Sequence, residues 1–335
     1  MGREKTQLPI VTAGLPGGAH DAEPTYPSIF NDVIGPVMRG PSSSHCAAAL
    51  RIGRLARALM DDEITDVLVE FHPNGSLATT HTSQGSDMGL FGGLLGWDAT
   101  DERLVDSPKA IREAGIETEI RITDFPAHHP NTYRITLKNG AGEHRMTALS
   151  LGGGMIRVVE IDGVDLRMDG DYHETLVFLD GEPAEVGAEA VSAVLDGVAM
   201  EPDDIQLLHG PEAVLVQIKT QHPLPTETRS LMGAVPGVGD VRTLSPVLPI
   251  QSRKGTDVPF ITATELERFV DEVGGNGAEP PALWKLAVAY ESARGGISEA
   301  EVLTRMVEIV DVLEASLQEG LAGTEYHDRI LDAQV

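Results

Sequence analysis

The sequence predicts an α+β fold in three parts: a small α+β domain, a ferredoxin-like domain and a C-terminal helical segment. Three observations support this prediction. Strand-like and helix-like segments are mixed along the first part of the chain, and the following segments approximate a strand-helix-strand-strand-helix-strand order. The last part contains only helix-like segments with apolar stripes. A length of 335 residues also exceeds one ordinary core, so several domains are expected.

Composition excludes several classes of function. The net charge of −27 argues against a nucleic-acid partner, because binding to the phosphate backbone requires clustered Lys and Arg. The chain lacks an apolar run long enough for a membrane span, and residues 1–26 read as a flexible lead-in without a signal-peptide core. We therefore expect a cytoplasmic protein without a membrane partner. The single cysteine, Cys46, excludes an intrachain disulfide and a metal site built from several thiolates, so no metal ligands are assigned to this chain.

The first domain is expected to span residues 27–155. A serine-rich segment leads into a helix whose arginines, spaced by three, are typical of an exposed face: Arg51, Arg54 and Arg57. The apolar residues of this helix are expected to point inward: Leu50, Ile52, Leu55 and Leu59. Alternation predicts strands in "DVLVEFH", "ETEIRITDF", "TYRITLK" and "HRMTALSLGG", and "MGLFGGLLG" indicates a second buried helix.

The second domain is expected at 156–250, followed by a linker at 251–259 and helices at 260–335. "IRVVEIDG" and "HETLVFLD" read as its first strands, with later helices in "EVGAEAVSAVLDG" and "PTETRSLMGAV". Capping boxes predict helix starts at Thr262 and Ser298. The last helix carries an apolar face that is too large for so small a core, which indicates a partner. That face comprises Val302, Met306, Ile309, Leu313 and Leu317.

The segment "RGPSSSHCAAALRIG" contains more hydroxyl groups than a helix start requires. Free amides at a helix N-terminus attract anions, and serine hydroxyls add donors that can bind a carboxylate. His45 adds a group that titrates near neutral pH. A polar loop in which one serine caps the helix is the alternative. The combination favours a site for a small organic acid.

Four motifs in order resemble those of the iron–sulfur-dependent L-serine dehydratases (L-serine ammonia-lyases). They are "SIFNDVIGPVMRGPSSSHCAAALRIGRLA", "NGSLATTHTSQGSD", "HHPNT" and "SLGGGMI". The resemblance covers residues 28–156 well, the second domain loosely as an ACT-like regulatory unit, and 260–321 as the start of the catalytic domain. This chain departs from the family at three positions. Cys46 stands where the family has threonine, and Gln84 and Ser86 stand where it has histidine and threonine.

The resemblance implies a role for each matching residue. His45 and Ser43 are implied to be catalytic, as a substrate ligand or proton carrier and a carboxylate-binding hydroxyl. The implied substrate-binding residues are Ser42, Ser44, Ser76, Thr79, Asp87, His129 and Asn131. A strand-end histidine is the alternative for His129, and turn residues are the alternative for Ser76 and Thr79. Cys46 is either a ligand to an exposed iron or a buried thiol.

The family's [4Fe–4S] cluster is held by cysteines that this sequence lacks. The resemblance therefore implies a cluster held by cysteines of a partner, a catalytic alpha-type subunit, in a hetero-oligomer. The implied reaction removes water from a small β-hydroxy amino acid, giving a 2-oxo acid (pyruvate from serine) and ammonia. The same chemistry on another small hydroxy acid is one alternative. A non-catalytic ligand-binding or regulatory protein is the other.

Overall fold

The protein is described in a computed structural model that covers residues 26–35, 38–61, 63–180, 183–198, 201–274 and 281–323. Within these ranges the chain forms two compact units, one of residues 38–248 and one of residues 26–35 with 249–323. The lead-in expected at 1–26 lies outside the described residues except for its last position. Across the described ranges, no helix combines the length and apolarity needed to cross a membrane.

The first unit mixes helices and strands, as expected for an α+β fold. Its helices are α1 (Ser43–Leu59), α2 (Leu77–Thr80), α3 (Ser86–Leu94), α4 (Ser107–Glu113), α5 (Ala184–Asp196) and α6 (Thr226–Gly233), with a short 3₁₀ helix at Glu102–Asp106. Its strands are β1 (Asp66–Phe71), β2 (Glu117–Ile122), β3 (Thr132–Lys138), β4 (Glu143–Gly152), β5 (Met155–Ile161), β6 (Val164–Met168), β7 (His173–Leu179), β8 (Asp204–His209), β9 (Val214–Thr220) and β10 (Val238–Leu244).

Strands β1 to β6 form one sheet in the order β2-β1-β3-β4-β5-β6. Strands β1 and β2 run parallel, and the other neighbours are antiparallel. The apolar residues of α1 that were expected to point inward are all buried in the core of this unit, at 1% exposure or less. The alternating apolar residues of β1 and β3 pack in the same core, because successive side chains of a strand face opposite sides.

Strands β7 to β10 form a second, antiparallel sheet in the order β10-β7-β9-β8. With α5 after β7 and α6 after β9, the chain follows the β-α-β-β-α-β path of a ferredoxin-like module. In β7, Val177 and Leu179 pack with α5 and α6, whereas Leu176 and Phe178 join the core of the first sheet. The expectation of a ferredoxin-like arrangement is therefore confirmed.

One strand was assigned to the wrong sheet. The segment at 156–163 was expected to open the ferredoxin-like module, but β5 pairs with β4 and β6 in the first sheet. The reason is the turn of Gly152, Gly153 and Gly154, whose φ angles of 98°, 61° and 82° fold β5 back onto β4. The module begins instead with β7, and β8 supplies a strand that the sequence pattern did not predict.

Helices α1 and α3 cross with their backbones in contact. A Cβ on Gly89 would lie 2.0 Å from the Cys46 carbonyl oxygen, and one on Gly93 would lie 2.0 Å from that of Leu50. Arg51, expected on the exposed face of α1, is instead buried at 3% exposure and donates a hydrogen bond to the Gly154 carbonyl. The start of α1 is therefore held between α3 and the triple-glycine turn.

The second unit combines an N-terminal segment with the C-terminal helices. These helices are α7 (Ala263–Gly274), α8 (Leu283–Gly295) and α9 (Glu299–Ala322), and a π-helical turn covers Ile29–Val33. Buried Glu291 accepts hydrogen bonds from the Ser28 hydroxyl (2.5 Å) and the Ile29 amide (2.7 Å). These bonds place residues 29–33 in the second unit, whereas the sequence predicted them in the first domain.

The expected capping boxes begin α7 and α9. The Glu265 carboxylate accepts a hydrogen bond from the Thr262 amide (2.8 Å), and the Ser298 hydroxyl accepts one from the Glu301 amide (3.1 Å). Early in α9, Val302 is buried in a small core, and Met306 and Ile309 pack against that core. Leu313 and Leu317 were expected to be buried on the same face, but they are 56% and 68% exposed because α9 extends beyond that small core.

Candidate functional site

The first motif places its hydroxyl groups at the start of α1. Ser42 occupies the N-cap position, but its hydroxyl bonds the Nδ1 of His45 at 2.8 Å instead of capping the backbone. Ser43 is exposed, and Ser44 and His45 are half-buried. The first turn contains no acidic residue. This helix end can therefore offer amide and hydroxyl donors to an anion.

The second motif forms α2, a turn and the start of α3. The turn packs against the first motif: a Cβ on Gly85, whose φ is 79°, would lie 2.9 Å from Pro41 Cδ. Met88 reaches the same loop, with its methyl group 3.3 Å from the position of a Cβ on Gly40. The close crossing of α1 and α3 thus brings the two motifs together.

The third motif joins the second to the fourth through Asn131. The Ser76 hydroxyl donates a hydrogen bond to the Asn131 side-chain oxygen, and the Ser76 amide donates to the Pro130 carbonyl at 3.0 Å. The Ser150 amide in turn donates to the Asn131 carbonyl at 3.0 Å. His129 accepts a hydrogen bond at Nδ1 from the Asn131 amide at 3.1 Å, so it braces this turn.

The fourth motif closes the ring of contacts at α1. The triple-glycine turn lies against the first turns of α1, where a Cβ on Gly154 would be 2.9 Å from Met38 Sδ and 3.5 Å from Ala47 Cβ. Four segments that are distant in sequence thus contact one another in a closed circuit within the first unit. Of the residues predicted from the sequence, Ser76 and Asn131 lie in this circuit by direct contact. Thr79 is exposed on α2 outside it.

Polar residues that were not predicted from the sequence also lie beside the second motif's Asp87. His81 Nδ1 lies 2.7 and 2.8 Å from the two Asp87 carboxylate oxygens, and the Thr82 hydroxyl donates to Asp87 Oδ2 at 2.8 Å. Behind them is Tyr133, fully buried, whose pKa is raised by burial so that its hydroxyl stays neutral. The sequence around His81 does indicate a candidate site residue, because His81 lies in a polar, glycine-containing turn directly before a helix.

Cys46 is fully buried beneath the serine loop, where a Cβ on Gly40 would lie 3.0 Å from its sulfur. Burial raises the pKa of the Cys46 thiol to about 12, so it is protonated at neutral pH. Among the described residues, no group of three or more His, Cys, Asp or Glu side chains is arranged to hold a metal ion. The geometry therefore fits the buried-thiol interpretation of Cys46.

The fold and the contacts define a class: an α+β protein with a ferredoxin-like module and a polar helix N-terminus on which four separate segments converge. No family model matches the chain. The chain is 44% identical over 152 residues to a Bacillus subtilis (strain 168) protein named "Probable L-serine dehydratase, beta chain", covering 45% of this chain and 68% of the relative. It is 30% identical over 210 residues to the "L-serine dehydratase, beta chain" of Peptoniphilus asaccharolyticus, covering 62% of this chain and 92% of the relative.

The chain belongs to the family of L-serine dehydratase beta chains. More than a third of this chain lies outside the alignment to the Peptoniphilus protein, although that alignment covers nearly all of the relative. This chain is therefore longer than that beta chain.

Proposed function

We propose that this chain is one subunit of an L-serine dehydratase, a lyase that eliminates water from a small β-hydroxy amino acid to give a 2-oxo acid and ammonia. The circuit of contacts that joins the four motifs around the start of α1 is the observation that carries the proposal. Family membership supports the substrate class, because both relatives are named for L-serine.

Binding of the substrate carboxylate is assigned to the start of α1. Ser43 and Ser44 are in the first helical turn, where the backbone amides and the helix dipole both favour a negative group. His45 bonds the Ser42 hydroxyl through Nδ1 at 2.8 Å, which leaves Nε2 for a substrate. We therefore assign removal of the substrate's α-proton to His45.

The iron–sulfur cluster implied by the resemblance does not fit the residues of this chain. The sequence contains one cysteine, which is buried and protonated, whereas a [4Fe–4S] cluster requires several thiolates. We therefore propose that cysteines of a partner subunit hold the cluster. A cytoplasmic location is part of this proposal, since a reducing compartment preserves such thiolates.

Helix α9 supports the proposal of a partner. Five of its exposed apolar residues recur at spacings of seven, three and four, which places them on one stripe. They are Leu303, Val310, Leu313, Leu317 and Leu321, from 42% to 83% exposed. A stripe of this length exceeds the scattered apolar residues of an ordinary surface. We propose that the catalytic alpha-type subunit covers it, and that the ferredoxin-like module is an ACT-type regulatory unit.

The test is to purify the assembly anaerobically from the source cells through an affinity tag on this chain. We expect a second, cysteine-bearing polypeptide, a visible absorption band, and release of pyruvate and ammonia from L-serine. Ser43→Ala and His45→Ala are expected to lower kcat/KM on the order of 100-fold. A colourless assembly in which both variants match the wild type would contradict the proposal.

A substrate other than serine is the second candidate. The Oε1 atom of Gln84 is buried and has no hydrogen-bond partner in the described part of the chain, so it could receive a donor from a larger substrate. Comparing L-serine, L-threonine and 3-hydroxyaspartate with the same assembly distinguishes the two. A preference for a larger substrate that Gln84→Ala abolishes would favour the second candidate.

A further inference from the structure

A carboxylate–imidazole pair, Asp87 with His81, lies where the turn after α2 meets α3, and the resemblance implies a role for Asp87 alone. Both Asp87 oxygens are occupied: Oδ1 and Oδ2 lie 2.7 and 2.8 Å from His81 Nδ1, and Oδ2 also accepts from the Thr82 hydroxyl. The backbone closes the same turn, since the Ser86 and Asp87 amides donate to the His81 carbonyl at 2.8 and 3.3 Å. Asp87 is therefore committed to His81 and is poorly placed to bind substrate directly.

The pair is held firmly but is not sealed from solvent. The side chains of His81 and Asp87 are 21% and 15% exposed. The His81 ring packs at 5.3 Å, centroid to centroid, against Phe71, which is buried in the core. Because Nδ1 faces Asp87, Nε2 is the ring nitrogen left for another molecule. No hydrogen bond to Nε2 is formed by any residue within the described ranges.

The electrostatic settings of the two histidines differ. His81 faces the Asp87 carboxylate, and Tyr133 lies beyond Phe71. His45 faces the uncharged Ser42 hydroxyl. A carboxylate bonded to one ring nitrogen fixes the orientation of an imidazole, so that the other nitrogen can serve a reacting group. The turn that carries His81 packs against the serine loop through Gly85 and Pro41.

We propose that His81 is the general acid of the elimination and that Asp87 is its positioning residue. The inference rests on the function proposed above. As His45 takes the α-proton, the Cα–H electron pair forms the Cα–Cβ double bond and the Cβ–O bond breaks. His81 Nε2 donates a proton to the departing oxygen, which leaves as water. His45 ends protonated and His81 neutral, and exchange with solvent restores both.

A change of leaving group tests this role. L-Serine needs a proton on its leaving oxygen, whereas β-chloro-L-alanine loses chloride, which needs none. In the tagged assembly, His81→Gln is expected to lower kcat for L-serine on the order of 100-fold with little change in KM, and to lower kcat for β-chloro-L-alanine less than about threefold. His45→Ala is expected to impair both substrates. His222→Gln, at an exposed histidine of the ferredoxin-like module, is the control and leaves both rates unchanged.

Equal loss on both substrates in His81→Gln, or no loss on either, would overturn the inference. An inactive wild-type assembly would instead refute the proposed function. A second measurement needs neither partner nor substrate: ring ¹⁵N shifts of histidine-labelled full-length chain, assigned with His81→Gln. We expect the neutral His81 ring to carry its proton on Nδ1 in the wild type, because Nδ1 faces the Asp87 carboxylate, and to lose that preference in Asp87→Asn. The same tautomer in both proteins would remove the positioning role of Asp87.

Discussion

Helices α1 and α9 are the longest of the described residues, and they are stabilised in opposite ways. Eleven residues of α1 are buried, including Arg51, and its backbone touches that of α3. Within α9, only Val302 is buried, although the helix is seven residues longer and carries an apolar stripe. The apolar face of α1 is buried within its own unit, whereas most of the apolar face of α9 is exposed. Apolar periodicity thus identifies a helix face but does not show which molecule covers it.

The largest expected effect comes from a substitution that breaks the backbone contact between α1 and α3. Gly93→Ala places a methyl group 2.0 Å from the Leu50 carbonyl oxygen, so the helices must separate, at a cost of about 3 kcal/mol or more in unfolding free energy. Gly320→Ala in α9 is the matched control, because nothing lies within 4 Å of its Cβ. It should stabilise the chain by roughly 0.5 kcal/mol. Urea denaturation of the full chain measures both, and equal effects would contradict the comparison.

Replacing leucine by alanine distinguishes a buried position in the core of α1 from an exposed position on the apolar stripe of α9. Leu55→Ala in α1 removes a side chain that is 1% exposed and should cost about 3 kcal/mol. Leu317→Ala in α9, at 68% exposure, should change the stability of the isolated chain by less than about 0.5 kcal/mol. The same α9 variant should reduce recovery of the partner on the tagged chain. A large loss of stability in Leu317→Ala would show that α9 is already covered within the chain.

A buried carboxylate in the first unit makes the stability of the protein depend on pH. Glu174 in β7 is 2% exposed, and burial raises its pKa from 4.5 to about 7 despite Lys219 at 3.4 Å. Glu174 binds its proton more tightly in the folded protein than in the unfolded chain. The contribution of this proton to the free energy of unfolding is therefore fully present below pH 4.5 and is lost as the pH rises through 7. We expect a loss of roughly 2–3 kcal/mol over this window.

Glu174→Gln should flatten that pH dependence, whereas Glu314→Gln at an exposed position of α9 should leave it unchanged. Urea denaturation at pH 4.5, 6 and 8 provides the measurement. If wild type and Glu174→Gln show the same slope, the carboxylate is not protonated in the folded protein.

The smallest expected effect concerns the thiol of α1. Cys46 is fully buried with a pKa of about 12, so a disulfide reagent should label it only as fast as the chain opens. Ala315→Cys, introduced on exposed α9 in a Cys46→Ala background, should react at once. Cys46→Ala should cost about 1 kcal/mol and leave the visible spectrum of the assembly unchanged. Rapid native labelling of Cys46, or a changed spectrum, would reopen its role as an iron ligand.

Local patterns in the sequence predicted most helices and strands correctly. The alternation in β1 and β3, the inward face of α1 and both capping boxes depend on neighbours within a few residues. The four motifs were also recognisable from the sequence. The chemical roles proposed for these motifs depend on residue types, which are read directly from the sequence.

Only the tertiary structure decided how distant segments meet. The pairing of β5 with β4, the place of residues 29–33 beside Glu291 and the burial of Arg51 all depend on long-range contacts. The His81–Asp87 pair also depends on the tertiary structure. Residues six positions apart bring His81 Nδ1 within 2.7 Å of Asp87 Oδ1 only because the turn between them closes. Side-chain periodicity fixes which face of an element is apolar. It leaves open what packs there, since that is decided by the free energy of the whole assembled core.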